Sequence, residues 1–205
     1  MTTHSDMYKR FATSVEGVDV KWREDLDMEA YQALDKDERR EADELMMTRL
    51  EENDTRAAIA LGQVKCRGAV APMQRALPNA SARMKVAIAV AFDELEVSPP
   101  DELIAEVIRS GDVDGAKAAM PVARELRSDV IRNVLAWACM HHPDASARRS
   151  AGSILISASG VTDDPLVWEF RPLYLPLGSE DEATRRKHFE EICDIAQIDP
   201  SLADS

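Results

Sequence analysis

Adjacent histidines at His141 and His142, two residues after Cys139, are the group in this sequence that most resembles a set of metal ligands. Two ligands on one helix are normally three or four residues apart, so that they share a face. Adjacent histidines point to different faces. Pro143 and Asp144 follow directly, as is typical of a helix end, where the helix dipole favours a cationic side chain. We therefore interpret the pair as a helix C-terminus and expect no bound metal.

Cys66 is the second candidate for chemistry, because it lies between Lys65 and Arg67. Positive neighbours can lower the pKa of a thiol and produce a reactive thiolate. A nucleophilic cysteine also needs a base, and no histidine lies nearby in the sequence. We interpret Cys66 as structural. Together with Cys139 and Cys193 it makes an odd, widely spaced set, which predicts reduced cysteines in a cytoplasmic protein.

The remaining candidates for catalysis are carboxylates, and they give no recognisable pair. Glu51-Glu52 and Glu190-Glu191 are typical of solvated helix faces. The sequence contains no phosphate-binding loop, no dinucleotide fingerprint and no nucleophile-elbow motif. We predict a protein that is not an enzyme, with no catalytic residues and no cofactor.

The composition favours helices as the elements that position these residues. Of 205 residues, 45% are hydrophobic, only 5% are aromatic, and 8 are glycine. Alanine, leucine, arginine and glutamate are plentiful, and such side chains lose little rotamer freedom in a helix. No leader-like N-terminal pattern and no apolar run of membrane-spanning length occurs, so we expect a cytoplasmic protein without membrane contact.

The net charge of −13 is concentrated at the two ends of the chain. Residues 1–54 carry −8, residues 55–150 carry +2, and residues 151–205 carry −7. Binding to nucleic acid phosphates needs a basic face, so the overall acidity disfavours it. The near-neutral middle leaves that alternative open.

A short phrase recurs along the chain, in which a polar residue is followed by small apolar residues and a basic residue. Copies begin at Asp54, Asn79, Asp114, Asp144 and Ser179. Its basic residues are 27, 34, 31 and 37 positions apart, namely Arg56, Arg83, Lys117, Arg148 and Arg185. These intervals suit one helix pair each. We expect the polar residue to cap the helix and the small residues to admit a neighbouring helix.

The phrase resembles the first helix of HEAT repeats, which in a short form reads D-x-x-[VA]-R-x-x-A-x-x-[AI]-L-G, and the resemblance covers about residues 54–197. It implies an all-α protein, an α-solenoid of about four to five irregular helix pairs with terminal capping helices. Residues 1–27 would be a weakly structured N-terminal segment, 28–197 a single solenoid domain and 198–205 a tail.

Within the solenoid, capping helices are expected at 28–53, repeats at 54–178 and a C-terminal capping helix at 179–197. The expected core residues, spread over the repeats, are Ala58, Leu61, Ala87, Ala91, Val134, Leu135, Ala151, Leu155, Phe189 and Ile192. Prolines at 165, 172 and 176 predict a short or kinked helix in the last repeat.

Second helices of such pairs line a concave surface. They are expected at about 69–77, 101–110, 129–141 and 165–175. The outward residues predicted to bind a partner are Gln74, Glu102, Glu106, Arg109, Arg132, Asn133, Trp137, Glu169 and Tyr174. Trp137 and Trp168 could stack on a base or a peptide, but a tryptophan on a helix face is more often part of the core.

The sequence therefore predicts a non-catalytic scaffold whose partner is another protein, expected to be basic, and not a nucleic acid. Small size and marked acidity favour a bacterial immunity protein that binds and neutralises a basic toxin domain. A general HEAT-repeat adaptor or regulator is the first alternative. The second is an enzyme or DNA-binding module on the same fold, since HEAT-like DNA glycosylases cradle duplex DNA in a basic groove. The groove residues would be Arg56, Lys65, Arg67, Arg75, Arg83 and Lys85.

Overall fold

The structure is a computed structural model that describes residues 4–17, 26–162 and 168–204. Within these residues the regular elements are all helical, as the composition predicts. None of the described helices has the length and apolar character needed to cross a bilayer. The chain divides into two compact units, Met1–Pro100 and Asp101–Ser205. The boundary falls inside the range 28–197, which the sequence predicts to be one domain.

The first unit contains six described α-helices and two short 3₁₀ segments. The helices are α1 (Asp6–Glu16), α2 (Met28–Gln32), α3 (Lys36–Glu51), α4 (Thr55–Gln63), α5 (Val70–Ala76) and α6 (Ala82–Glu94). The 3₁₀ segments are Arg67–Ala69 and Leu77–Asn79. Helix α4 packs on α3 and on α6, and α3 also contacts α5.

The second unit contains the other six described α-helices and three 3₁₀ segments. The helices are α7 (Asp101–Arg109), α8 (Val113–Glu125), α9 (Asp129–His141), α10 (Ala145–Ala158), α11 (Arg171–Tyr174) and α12 (Glu182–Ala196). The 3₁₀ segments are Trp168–Phe170, Leu175–Gly178 and Pro200–Asp204. Helices that are two apart in sequence pack together, α7 on α9, α8 on α10 and α10 on α12.

The expected polar caps are present at the helices that carry the recurring phrase. A side-chain oxygen accepts a hydrogen bond from a backbone N–H of the first turn at five helix starts: Asp54, Ser81, Asp112, Asp144 and Asp181. In the second, third and fifth copies the cap is two residues away from the residue that opens the phrase. Each cap satisfies an amide that the helix itself leaves unpaired.

The predicted core is confirmed in full. All ten residues expected there are buried, with at most 3% of their surface exposed. Three of the four second helices predicted from the register are also confirmed, as α5, α7 and α9. In the fourth, residues 163–167 lie outside the described residues, and the remainder forms the Trp168–Phe170 turn and the single helical turn α11. The stacking of helix pairs into a solenoid stays a prediction.

Helix α1 departs from the prediction of a weakly structured segment over 1–27. Its start is capped by Ser5, whose side chain accepts from the Tyr8 N–H. The Ser5 backbone N–H and hydroxyl also donate to the carboxylate of Glu38 in α3. Phe11 and Val15, one turn apart, are buried. The helix therefore depends on contacts with residues far along the chain, which local patterning does not reveal.

The segment predicted to be a C-terminal tail, 198–205, contains a further helical element. Pro200–Asp204 forms a 3₁₀ turn that packs against α9 and α12. Ala203 is fully buried, and the Asp204 carboxylate accepts from Arg186 at 3.3 Å. The turn covers part of α9 with the chain's own residues.

Gly62 in α4 permits a close contact with α6. A Cβ atom at this position would lie 2.7 Å from the Cα and 3.3 Å from the carbonyl oxygen of Ala91 in α6. Real Cβ atoms do not approach backbone atoms so closely. The pair α4 and α6 can hold its present separation only because residue 62 has no side chain.

We predict that Gly62→Ala lowers the free energy of unfolding by about 1–3 kcal/mol, because the added methyl group overpacks the α4–α6 contact. Helix propensity alone predicts the opposite sign, since alanine is favoured over glycine by about 1 kcal/mol in a helix. Urea unfolding followed by circular dichroism measures the change.

Gly68→Ala is the matched control, because a Cβ there would be 4.0 Å from its nearest neighbour, the Sγ of Cys66. We expect it to change stability by no more than about 0.5 kcal/mol. Equal effects of the two substitutions, or a more stable Gly62→Ala protein, would contradict the close contact.

Candidate partner-binding surfaces

Six of the nine predicted partner-binding residues lie on two neighbouring helices of the second unit, α7 and α9, and five of these six form the surface described here. Glu102, Glu106 and Arg109 are exposed on α7, spaced by four and three residues and so on one face. The opposite face of α7 is buried. Asn133 and Trp137 are half-buried on α9, one turn apart. These five residues are referred to below as the α7–α9 surface.

Trp137 joins the two helices of this surface. The guanidinium carbon of Arg109 lies 6.0 Å from the centre of its ring. The rings of His141 and His142 lie 6.1 and 6.4 Å from it. The tryptophan is therefore partly enclosed by neighbours of this same chain, and only part of its ring is available to a partner.

The other four predicted residues are separate from the α7–α9 surface. Gln74 is exposed on α5 in the first unit, and Arg132 is exposed on α9 beside Asp129, to which it donates. Glu169 is exposed in the Trp168–Phe170 turn. The prediction is wrong for Tyr174, which is buried.

Tyr174 is buried because α11 lies directly on α10. The Tyr174 side chain is only 6% exposed. Its Cβ would be 3.2 Å from a Cβ added at Gly152, and the Cδ1 of Leu177 would be 2.4 Å away. The small residue in α10 thus brings the short helix α11 close, and the tyrosine becomes part of the core instead of a contact for a partner.

Trp168 differs from its prediction in the opposite direction: the sequence favours a core position, and the structure exposes the side chain. It is 76% exposed, the largest exposed fraction among the large hydrophobic side chains that the structure describes. The guanidinium carbon of Arg171 lies 4.5 Å above its ring, a cation–π contact. Leu175 is also exposed, at 49%. We call Trp168, Glu169, Arg171 and Leu175 the Trp168 surface.

A buried arginine positions the chain that carries the Trp168 surface. Arg148 in α10 is 4% exposed, and the five N–H groups of its guanidinium face six acceptor oxygens at 2.8–3.2 Å, three of them shared by Nη2. The acceptors are the backbone carbonyl oxygens of His142, Pro143, Leu177, Gly178 and Ser179, and the carboxylate of Glu180. We call these contacts the Arg148 network. It connects the end of α9 with the turn that follows α11.

Arg185 adds a second guanidinium to the same turn. Its Nη1 donates at 2.9 Å to the carbonyl oxygens of both Ser179 and Glu180. The recurring phrase places Arg148 and Arg185 at equivalent positions in two helices. Both bind backbone carbonyl groups, and neither presents a fully exposed charge.

We predict that Arg148→Met lowers the free energy of unfolding by about 3–5 kcal/mol, because removing a buried charge leaves its partners unsatisfied. Urea unfolding of the whole chain measures it. Arg124→Met, at an exposed arginine of α8 paired with Glu125, is the control and should cost less than about 1 kcal/mol. If Arg148→Met does not fold, Arg148→Lys provides the comparison. Similar costs at positions 148 and 124 would contradict a structural role for the network.

His142 ends α9 and is almost completely buried. The helix extends to His141, as the sequence predicts, and His142 is its C-cap residue. The Nδ1 of His142 accepts a hydrogen bond from the Asp144 N–H at 3.0 Å. Burial lowers the pKa of the imidazole, and the nearby charge of Arg148 acts in the same direction. The folded protein therefore favours the neutral ring.

A lowered pKa in the folded state means that the unfolded chain binds the proton more tightly. The stabilisation by neutral His142 is complete above the unfolded value of about 6.5 and is lost as the pH falls through the folded value. We predict that the free energy of unfolding decreases between about pH 7.5 and 5.5, and that His142→Gln reduces this slope. Unfolding titrations at a series of pH values measure both. An unchanged slope in the variant would contradict the assignment to His142.

Cys66 has an environment opposite to that of a reactive thiol. Burial and the Asp43 carboxylate raise the pKa of Cys66. The same Asp43 carboxylate accepts a hydrogen bond of 2.7 Å from the hydroxyl of buried Tyr31, and the pKa of Tyr31 is also raised. The effect expected from Lys65 and Arg67 is therefore outweighed, and the thiol remains protonated near neutral pH.

The other two cysteines and the possible metal ligands give no reactive site among the described residues. Cys139 and Cys193 are buried free cysteines, consistent with the core role that the sequence predicts. Among the described residues, no three side chains of His, Cys, Asp or Glu are grouped in a way that could hold a metal ion.

The basic residues considered for DNA binding lie in the first unit, and two of them are paired with carboxylates. Arg56 binds Asp54 through two hydrogen bonds, and Lys65 binds Glu94 at 2.8 Å. Neutralisation of these two charges weakens a phosphate-binding groove.

In comparisons with known proteins, no protein-family model, no curated protein and no solved structure matches the chain.

Proposed function

We propose that the chain is a non-catalytic protein-binding scaffold, and that it binds and neutralises a basic toxin domain as an immunity protein. The observation that carries the proposal is the exposed tryptophan of the Trp168 surface. A tryptophan exposed over 76% of its surface leaves a large apolar area in water, and burial against a partner removes that area. Tryptophan and arginine are the residues most enriched at the energetic centres of protein interfaces.

The expected charge of the partner follows from the charge of the chain. The net charge is −13, and residues 151–205, which include the Trp168 surface, carry −7. An acidic protein attracts a basic partner at long range and accelerates association. Toxin domains directed at nucleic acids are basic for the same electrostatic reason, since they must approach phosphates. The stacking of alternate helices within each unit supports the HEAT-like scaffold on which such surfaces are presented.

The proposal predicts that Trp168→Ala weakens binding to the toxin domain by about 30-fold or more, as expected for a central interface aromatic. The partner to measure first is the product of the gene adjacent to the one that encodes this chain, by surface plasmon resonance. Val161→Ser is the matched control, because Val161 is another exposed apolar residue, at 47%, outside the Trp168 surface. We expect it to change the affinity by less than about threefold.

Charge steering is tested in the same assay by varying salt. The association rate should fall as ionic strength rises, because the screening length is about 10 Å at 0.1 M. Glu102→Gln on the α7–α9 surface should reduce the association rate more than it raises the dissociation rate. Failure to bind the adjacent gene product and to protect cells from it would contradict the immunity role. Tight, salt-sensitive binding to a plain DNA duplex would favour the nucleic-acid alternative instead.

A further inference from the structure

A cavity of about 230 Å³ lies in the second unit, between the start of α9 and the ends of α10 and α12. It shares no residue with the Trp168 surface or the α7–α9 surface. Arg132, which the sequence predicts to bind a partner, is among the residues that line the cavity. Its walls include the apolar side chains of Ile131, Leu135, Leu155 and Ile198. Ile131, Leu135 and Leu155 also belong to the buried core, so the inner wall is fixed by packing.

Two arginines line the same cavity, Arg127 and Arg132. Both are exposed, and among the described residues each has a weakly bound partner. Arg127 donates to the Ser157 carbonyl oxygen at 3.4 Å, which is long for a hydrogen bond. Arg132 pairs with Asp129, whose side chain is 84% exposed, and such exposed pairs contribute little. Both guanidinium groups can therefore reorient toward a ligand at small cost.

We propose that this cavity binds a small monocarboxylate with an unbranched apolar chain of about six to eight carbons. The apolar wall accepts the hydrocarbon, as is usual for small-ligand sites. The volume of about 230 Å³ is below the range of about 300–1,000 Å³ found for drug-sized ligands, so a smaller ligand is expected. A guanidinium group binds a carboxylate through two parallel hydrogen bonds, and two such groups line this cavity. Cationic ligands would be repelled, and neutral ones would lack the ionic contact.

The test uses the whole chain and octanoate as the probe, with ¹H–¹⁵N NMR titration. We expect saturable shifts at residues that line the cavity, with a dissociation constant on the order of 1 mM, as is typical of a ligand of this size. Octanamide has the same chain without the charge and should bind at least about tenfold more weakly, because charged hydrogen bonds are lost.

Substitutions in the cavity test the contribution of the two arginines separately from that of the apolar wall. Arg127→Gln and Arg132→Gln together should weaken octanoate binding at least about tenfold. Ala196→Leu, which places a larger side chain in the apolar wall, should weaken octanoate and octanamide alike. Arg124→Gln, at an exposed arginine that does not line the cavity, is the control and should leave the affinity unchanged.

Three outcomes would overturn the proposal. The first is the absence of a saturable shift with octanoate up to about 20 mM, which is well above the expected dissociation constant. The second is equal binding of octanoate and octanamide. The third is full octanoate affinity in the double arginine variant. Circular dichroism of each variant shows whether it is folded. Because both arginines are exposed, replacing them singly provides a folded comparison if the double variant is unstable.

Discussion

The buried guanidinium of Arg148 is the contact on which the C-terminal part of the second unit depends. Helix α11 is four residues long, and the 3₁₀ segments on either side of it have three and four residues. Helices this short are not stable in water by themselves, because nucleation costs more than one or two hydrogen bonds return. Their position is set by tertiary contacts. Arg148, assisted by Arg185, supplies polar ones, and the packing of Tyr174 and Leu177 against Gly152 supplies apolar ones.

A buried arginine stabilises a fold only when its hydrogen-bonding groups are satisfied. Five of the six acceptors of Arg148 are backbone carbonyl groups. The sixth is the carboxylate of Glu180, whose side chain is 89% exposed, so this ion pair is screened by water and contributes little. The carbonyl groups are thus the main partners. One group of carbonyls lies 5 or 6 residues from Arg148 and the other 29–31 residues away, so the guanidinium fixes tertiary structure and not only a local turn.

Most of the helices could be predicted from the sequence because they follow a 3.6-residue period and begin with a polar cap. The core residues Leu61 and Leu155, for example, are buried as expected. The prediction fails where the period does not apply. Between Trp168 and Gly178 the chain alternates between 3₁₀ and α-helical turns, so the direction of each side chain cannot be extrapolated from its neighbours. This explains why the expectations for Trp168 and Tyr174 were each reversed.

The candidate site could be predicted only in part for a related reason. The residues of α7 and α9 were found because they repeat on regular helices, and the structure brings Arg109 against Trp137. The Trp168 surface and the cavity beside Arg127 arise from segments that are distant in sequence or too short to show a pattern. Likewise α1 depends on the contact of Ser5 with Glu38, a pair 33 residues apart.

Binding through these surfaces is tested most directly by hydrogen–deuterium exchange of the chain with and without the adjacent gene product. We expect slower exchange on binding in the Trp168–Gly178 region and in α7 and α9, because amides near a buried interface open less often. No change in exchange anywhere in the chain, or protection confined to the first unit, would contradict it.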